Sequence, residues 1–142
     1  MKVIINYESN LNFIAKVRKF ENIILDEPQS FKGDDLGPSP IEYFLIGVGG
    51  CLGSTFSYCL QKKKVSLLSL EIEVDGKIKH VPPQMNLRLI GIEILFKYSI
   101  RNEGPKDMID NCINEFKKFC PIYEPLINGI PINLNFINIE KN

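Results

Sequence analysis

The sequence lacks several features that would indicate whole classes of protein. It has no tryptophan, a single histidine (His80, in a proline-flanked turn) and no pair of cysteines separated by two residues. Zinc sites in proteins usually gather four nitrogen or sulfur ligands at short spacings, so we expect no metal centre. The 17 basic and 17 acidic residues cancel, and no basic stripe is present that would suit a phosphate backbone. We therefore expect no nucleic-acid partner.

Membrane and secretion signals are also not expected. No stretch reaches the roughly 20 apolar residues that cross a bilayer. The first eight residues alternate between apolar and polar types too early for a signal peptide. The sequence therefore predicts a cytoplasmic protein without a membrane partner. In that compartment we expect the four cysteines to be reduced rather than joined in structural disulfides.

The order of the predicted elements indicates the fold class. Period-two alternation predicts strands at residues 3–7, 13–20, 23–25, 68–74, 85–100 and 130–139, with turns near Asn10, Asn22 and Gly76. Helical spacing predicts helices at residues 40–61 (as far as 64), 106–119 and 122–127. This order predicts an α+β fold with antiparallel sheets packed around a long central helix. The length suits a single domain over residues 1–142.

The most informative segment of the chain leads into Cys51. Ser39 is a predicted helix N-cap, and Glu42 is its expected capping-box partner. The helix that follows is apolar almost all round, which a solvent-facing helix cannot be. It contains three neighbouring glycines, Gly47, Gly49 and Gly50. Each costs roughly 1 kcal/mol relative to alanine, so we expect a second helix or a second subunit to approach closely.

The remaining cysteines are interpreted from their spacing. Cys51 and Cys59 are eight residues apart on one predicted helix, hence about 12 Å apart along its axis. That distance exceeds the reach of a disulfide or of a shared zinc ion. Cys112 and Cys120 have the same spacing, although a helix break lies before Cys120. We expect Cys59 and Cys112 to be small core residues, whereas Cys51 alone could be inert or reactive.

Two motifs resemble the signature of the OsmC/Ohr superfamily of osmotically induced and organic-hydroperoxide-resistance proteins. The first is Gly-Pro-Ser-Pro-Ile-Glu at residues 37–42, followed by Gly-Gly-Cys at residues 49–51. The second is Phe-Cys-Pro at residues 119–121, which is similar to the second cysteine of the family. The resemblance covers nearly the whole chain. It is nearer to the less characterised OsmC-like branch than to the dedicated hydroperoxide reductases.

The resemblance implies an intertwined homodimer with two sites at the subunit interface. It also implies a thiol-dependent peroxidase that reduces organic hydroperoxides in oxidative-stress defence. Cys51 would then attack the peroxide and become a sulfenic acid, and Cys120 would resolve it as a disulfide. Arg18, on the second predicted strand, is the best candidate for the cation that stabilises the thiolate, with Arg88 and Arg101 as competitors. Turnover would need an external dithiol reductant, and no cofactor is implied.

One position departs from the peroxidase pattern. Peroxidatic members carry a glutamate directly after the proline at the helix start, and this chain has Ile41 there. Glu42 lies nine residues before Cys51, on roughly the opposite helix face, and is explained by capping. An alternative function is therefore a non-catalytic OsmC-like dimer that binds a small apolar ligand at its interface. A disulfide reductase is disfavoured because no adjacent-cysteine motif is present.

Overall fold

The computed structural model describes residues 1–101 and 106–135. The strands and helices in these ranges are β1 (Ile4–Ser9), β2 (Asn12–Val17), β3 (Phe20–Leu25), α1 (Pro40–Lys62), β4 (Leu67–Val81), β5 (Asn86–Ile100), α2 (Lys106–Phe119) and α3 (Tyr123–Asn128). Strands β1, β2 and β3 form one antiparallel sheet in that order, and β4 pairs with β5 in another. The predicted α+β class, with antiparallel sheets and one long helix, is confirmed.

The chain folds into two compact units built from interleaved segments. Unit 1 comprises Met1–Gly50 and Ser69–Tyr98, and unit 2 comprises Cys51–Leu68 and the described residues from Ser99 onward. The core of unit 2 is formed mainly by buried side chains of α1 and α2, namely Leu52, Phe56, Leu60, Ile109 and Cys112. That a single domain spans residues 1–142 stays a prediction.

The first sheet corrects two predictions, one about the end of a strand and one about a turn. Strand β2 ends at Val17, and Arg18 (φ 53°) and Lys19 form the turn into β3, so the predicted strand over residues 13–20 is too long. The predicted turn at Asn22 is wrong, because this residue lies inside β3 with φ 59°, where the pairing with β2 is irregular. Asparagine tolerates the left-handed conformation, so it suits a strand irregularity as well as a turn.

Strand β4 passes without interruption through Gly76, where the sequence predicts a turn. A Cβ at this position would lie 2.8 Å from Leu45 Cδ1 and 3.2 Å from Leu89 Cδ1. The glycine therefore permits close packing of neighbouring side chains inside a strand. The chain reverses instead at residues 82–85, which begin with Pro82 and Pro83, and β5 then runs to Ile100 as predicted.

The N-terminus of α1 has the predicted capping box. The Glu42 N–H donates to Ser39 Oγ (3.3 Å), while the Ser39 N–H (2.7 Å) and hydroxyl (2.8 Å) donate to Glu42 Oε2. Two hydrogen bonds from Ser39 hold the pKa of Glu42 below its ordinary value. The bond from the Ser39 backbone has the larger effect and the bond from its side chain the smaller one. This cap fixes the start of the helix that carries Cys51.

Helix α1 also corrects the expectation about apolar length. It has 23 residues and an 18-residue window of mean hydropathy 1.3, so it is long and apolar enough to cross a membrane by these two criteria. About a third of that window, 33%, is buried. A core helix of a soluble protein meets the same criteria, because its apolar residues are selected by burial on several sides. Length and composition alone therefore do not make α1 a membrane span.

The C-terminal elements agree with the prediction in part. Helix α2 has the predicted bounds, and α3 begins one residue later than expected. The strand predicted over residues 130–139 is not formed at residues 130–135, and residues 136–139 lie outside the described ranges. The apolar side chains of this segment are exposed: Ile130, Ile132 and Leu134. Alternation predicts a strand only where another strand edge pairs with it, and none in the described sheets does so.

Removal of the α1 cap is predicted to lower stability in a pH-dependent way. Ser39→Ala should reduce the free energy of unfolding by about 1 kcal/mol at neutral pH, because the Glu42 N–H loses its acceptor. The folded-state pKa of Glu42 is lowered, so its contribution is present above the unfolded pKa and is lost as pH falls through the folded pKa. Urea unfolding of both proteins at neutral and acid pH should show the difference shrinking on acidification.

The control for this experiment is Glu42→Gln, whose amide does not titrate. On that background, the effect of Ser39→Ala should be the same at both pH values. Equal stability of the wild type and Ser39→Ala at neutral pH would contradict the role of the cap.

Candidate redox site

Unit 2 brings the two predicted redox cysteines together. Cys120 Sγ lies 3.6 Å from Cys51 Sγ and donates a hydrogen bond to it. Cys51 is partly exposed, whereas Cys120 is only 3% exposed. A covalent S–S bond is about 2.05 Å long, so the two thiols need to approach by only about 1.5 Å to form a disulfide. The site can therefore exist in an open dithiol state and a closed disulfide state with little movement.

The antiparallel packing of α1 and α2 produces this geometry. Cys51 lies opposite Cys120, and Cys59 lies opposite Cys112, so residue numbers rise along α1 as they fall along α2. Between these pairs, the rings of Phe56 and Phe116 meet edge to face at 5.4 Å. Because both cysteine spacings are eight residues, the two pairs form at matching heights along the helices.

The break after α2 places Cys120 at the helix end. The Cys120 N–H still donates to the Lys117 carbonyl at 3.2 Å, as in a last helical turn. Pro121 has no N–H and its ring clashes with a continuing helix, so α2 ends at Phe119. The thiol of Cys120 is thus held by the end of a packed helix.

The surroundings of Cys51 oppose its ionisation. Burial raises the pKa of the Cys51 thiol above its ordinary value, and the hydrogen bond and charge of Cys120 raise it further. A backbone hydrogen bond from Ile122 acts in the opposite direction. Since the thiolate is the nucleophile, Cys51 needs a further positive group or a higher pH to react quickly.

The structure overturns the expectation that Cys59 and Cys112 are reduced core residues. They form a disulfide with an S–S distance of 2.09 Å and a Cα–Cα distance of 5.8 Å. The bond joins two different helices, so it is compatible with the eight-residue spacing that prevents pairing within either helix. The signal in the sequence was the repeated eight-residue spacing, which allows two cross-helix pairs when the helices are antiparallel.

The three candidate arginines occupy different places. Arg18 lies in the β2–β3 turn of unit 1, not on a strand as predicted, with its guanidinium carbon 5.3 Å from the centre of the Phe20 ring. Arg88 lies on β5 of unit 1, and its Nη1 donates to the Leu87 carbonyl at 3.0 Å. Arg101 belongs to unit 2 with the cysteine pair. The role of Arg18 stays a prediction.

The other polar candidates have local partners. Glu42 is held by the Ser39 cap, and its neighbour Ile41 provides no carboxylate. His80 lies on β4 and not in a turn as predicted, and its Nδ1 is 2.7 Å from the Met85 carbonyl. Over residues 1–101 and 106–135, no three His, Cys, Asp or Glu side chains converge in a way that could hold a metal ion.

The family model described as OsmC-like protein matches residues 33–135, a range that contains both Cys51 and Cys120. The chain belongs to the OsmC family. An OsmC-like protein of Mycoplasma pneumoniae has the same fold, with a TM-score of 0.68 and 22% identity over 89% of this chain and 86% of that chain. No curated protein sequence matches significantly.

Two further solved structures share the OsmC fold. An organic hydroperoxide resistance protein OsmC of Legionella pneumophila has a TM-score of 0.62 and 13% identity, over 89% of each chain. An organic hydroperoxide resistance protein of Elizabethkingia anophelis, with thiocyanate bound, has a TM-score of 0.60 and 15% identity, over 87% of this chain and 86% of that chain. At such identities the likeness establishes the fold.

Replacement of Cys120 is predicted to lower the pKa of Cys51. Both Cys120→Ala and Cys120→Ser remove the neighbouring ionisable thiol that raises this pKa. The pH needed for iodoacetamide to alkylate Cys51 should therefore be higher in the wild type than in either variant. Mass spectrometry of Cys51 alkylation across a pH series, with Cys59–Cys112 kept oxidised, measures the shift. An unchanged or higher pKa in both variants would contradict this account.

Proposed function

We propose that this OsmC-family protein is a thiol-dependent peroxidase that reduces organic hydroperoxides in oxidative-stress defence. The observation that carries the proposal is the 3.6 Å separation of the Cys51 and Cys120 sulfurs. Two residues far apart in sequence meet with the spacing that a nucleophilic and a resolving thiol need. The fold shared with two organic hydroperoxide resistance proteins supports the same function.

The reaction has three balanced steps. The Cys51 thiolate attacks an oxygen of the hydroperoxide, so that an S–O bond forms, the O–O bond breaks and the alkoxide leaves as the alcohol after protonation. The Cys120 thiolate then attacks the Cys51 sulfenic sulfur, forming the disulfide and releasing water after protonation. An external dithiol finally reduces the Cys51–Cys120 disulfide by two exchange steps and leaves as its own disulfide.

The difference in exposure supports this division of roles. Cys51 is partly exposed and can be reached by a peroxide, while Cys120 is buried next to it. Burial keeps Cys120 away from bulk oxidant but within reach of a newly formed sulfenic acid. Phe56 follows Cys51 on α1 in the same unit and is buried. Such apolar surroundings favour alkyl or lipid hydroperoxides over hydrogen peroxide as substrates.

The raised pKa of Cys51 defines what else the site needs. The backbone hydrogen bond from Ile122 lowers this pKa, but its effect is the smallest of the four contributions. A guanidinium near the sulfur would favour the thiolate, and Arg18 is the proposed donor of that charge, with Arg88 and Arg101 as alternatives. The peroxidase rate should consequently increase with pH up to the pKa of Cys51.

A homodimer accounts for the apolar surface of α1. Ile46 is 59% exposed and Phe44 is 40% exposed. A Cβ built at Gly47 would meet no atom within 4 Å, so this part of the helix has room for a close neighbour. A second copy of the chain packed on α1 would bury these side chains. We also propose a cytoplasmic location, where an external dithiol is available as reductant.

A second candidate is a non-catalytic OsmC-like dimer that binds a small apolar ligand at its interface. Two observations favour it, namely Ile41 at the position of the family carboxylate and the raised pKa of Cys51. Glu42 does not replace the missing carboxylate, because it is held in the capping box. In this case Cys51 would line the ligand site without reacting.

Titration with cumene hydroperoxide distinguishes the two functions. The peroxidase should lose both free thiols and gain a Cys51–Cys120 disulfide, detected by peptide mass spectrometry. Cys51→Ser should abolish the reaction, and Cys120→Ser should accumulate a Cys51 sulfenic acid that dimedone captures. The Cys59–Cys112 disulfide contributes no free thiol to the count. Full retention of both thiols over a long incubation would instead favour the ligand-binding protein.

The proposed role of Arg18 gives a further prediction. Arg18→Gln should slow the reaction of Cys51 with cumene hydroperoxide at neutral pH by about tenfold, because an opposite charge nearby lowers a thiol pKa by a unit or more. Stopped-flow measurement of thiol loss across a pH series should show this deficit disappearing at alkaline pH. Arg88→Gln is the matched control and should react like the wild type. A slow reaction of Arg88→Gln, together with a normal reaction of Arg18→Gln, would assign the role to Arg88.

A further inference from the structure

The Cys59–Cys112 disulfide takes no part in the reaction proposed above. Cys59 lies eight residues from Cys51 on α1, about 12 Å along the axis, so the two pairs are too far apart for direct exchange. Cys112 is 0% exposed, whereas Cys59 is partly exposed. A reagent that opens this bond should therefore reach it from the side of Cys59.

A cavity of 330 Å³ in unit 2 leads to Cys59. Its apolar side is formed by Tyr58 and Phe116, and Lys62 and Lys63 stand at the end of α1 on the same cavity. This volume is within the range of pockets that hold small molecules. The cavity is thus lined by one half of the disulfide, by apolar rings and by two lysines.

The charges that line the cavity favour an anion. Lys62 Nζ lies 5.1 Å from the centre of the Tyr58 ring. Neither Lys62 nor Lys63 forms an ion pair with any residue in the part of the chain that the structure describes. Among the described residues that line the cavity, the one carboxylate is that of Glu115, which is paired with Lys118 at 2.8 Å. The remaining positive charge would attract a ligand that carries carboxylates.

We propose that this cavity is a binding site for a small anionic thiol of the glutathione class, which opens the Cys59–Cys112 disulfide through Cys59. The bound thiolate attacks Cys59 Sγ, so that a mixed disulfide forms and Cys112 leaves as a thiolate that takes up a proton. A second thiol molecule attacks the mixed disulfide and leaves as the oxidised dimer. Cys59 then takes up a proton, and the bond between α1 and α2 is open.

The lysines provide the selectivity of this site. Lys62 and Lys63 can pair with the carboxylates of glutathione while its sulfur reaches Cys59. A neutral thiol gains nothing from these charges, and a cationic thiol is repelled by them. Opening of the disulfide should therefore depend on the charge of the thiol, and this dependence separates a binding site from ordinary chemical reduction. The proposal does not rest on the peroxidase function.

The test compares glutathione, 2-mercaptoethanol and cysteamine as reductants of the oxidised protein. Rates are corrected for the thiolate concentration of each reagent, and differential alkylation with mass spectrometry follows Cys59 and Cys112. Glutathione should be the fastest and cysteamine the slowest. Lys62→Gln combined with Lys63→Gln should slow glutathione by about threefold to tenfold and leave 2-mercaptoethanol unchanged. Lys64→Gln, next in sequence but outside the cavity, is the matched control.

The site of attack is tested separately. In Cys112→Ser, glutathione disulfide should modify Cys59 rapidly, whereas in Cys59→Ser the buried Cys112 should react much more slowly. Circular dichroism checks that the variants remain folded, and the lysine variants keep both cysteines. Equal rates for all three thiols, an unaltered rate in the double lysine variant, or four free thiols in the unreduced protein would each overturn the proposal.

Discussion

The packing of α1 against α2 in unit 2 is the interaction on which the chemistry of this protein depends. Two helices in antiparallel contact place Cys51 beside Cys120 and Cys59 beside Cys112, with an edge-to-face pair of phenylalanine rings between them. Cys51 could not pair with Cys59, because eight residues separate them along α1, and the same spacing separates Cys112 from Cys120. A shift of one helix by a single turn, about 5.4 Å, would separate both pairs at once.

The same packing imposes a chemical conflict on Cys51. A buried environment positions the sulfur accurately, but it also disfavours the thiolate that reacts with peroxides. Cys120, whose sulfur is 3.6 Å away, raises the pKa of Cys51 further through its hydrogen bond and its charge. The backbone of Ile122 compensates in part. Any further stabilisation of a Cys51 thiolate would have to come from other groups.

Local patterns allowed much of the fold to be predicted. The Ser39–Glu42 cap and the bounds of α2 follow from short-range rules, and both are confirmed. The turn predicted at Gly76 is wrong, because an isolated glycine indicates either a turn or close packing and only tertiary contacts decide between them. Likewise, one sequence does not tell which cysteine on one helix meets which on another. The Cys59–Cys112 bond required knowledge of helix direction.

That bond also closes a covalent ring in the chain. The two half-cystines are separated by 53 positions, and the segment between them contains the whole β4–β5 hairpin. A protease that cut the hairpin turn at residues 82–85 would leave two peptides still joined through sulfur. They would part only after both unfolding and reduction, so a nicked molecule would migrate as an intact chain on a non-reducing gel.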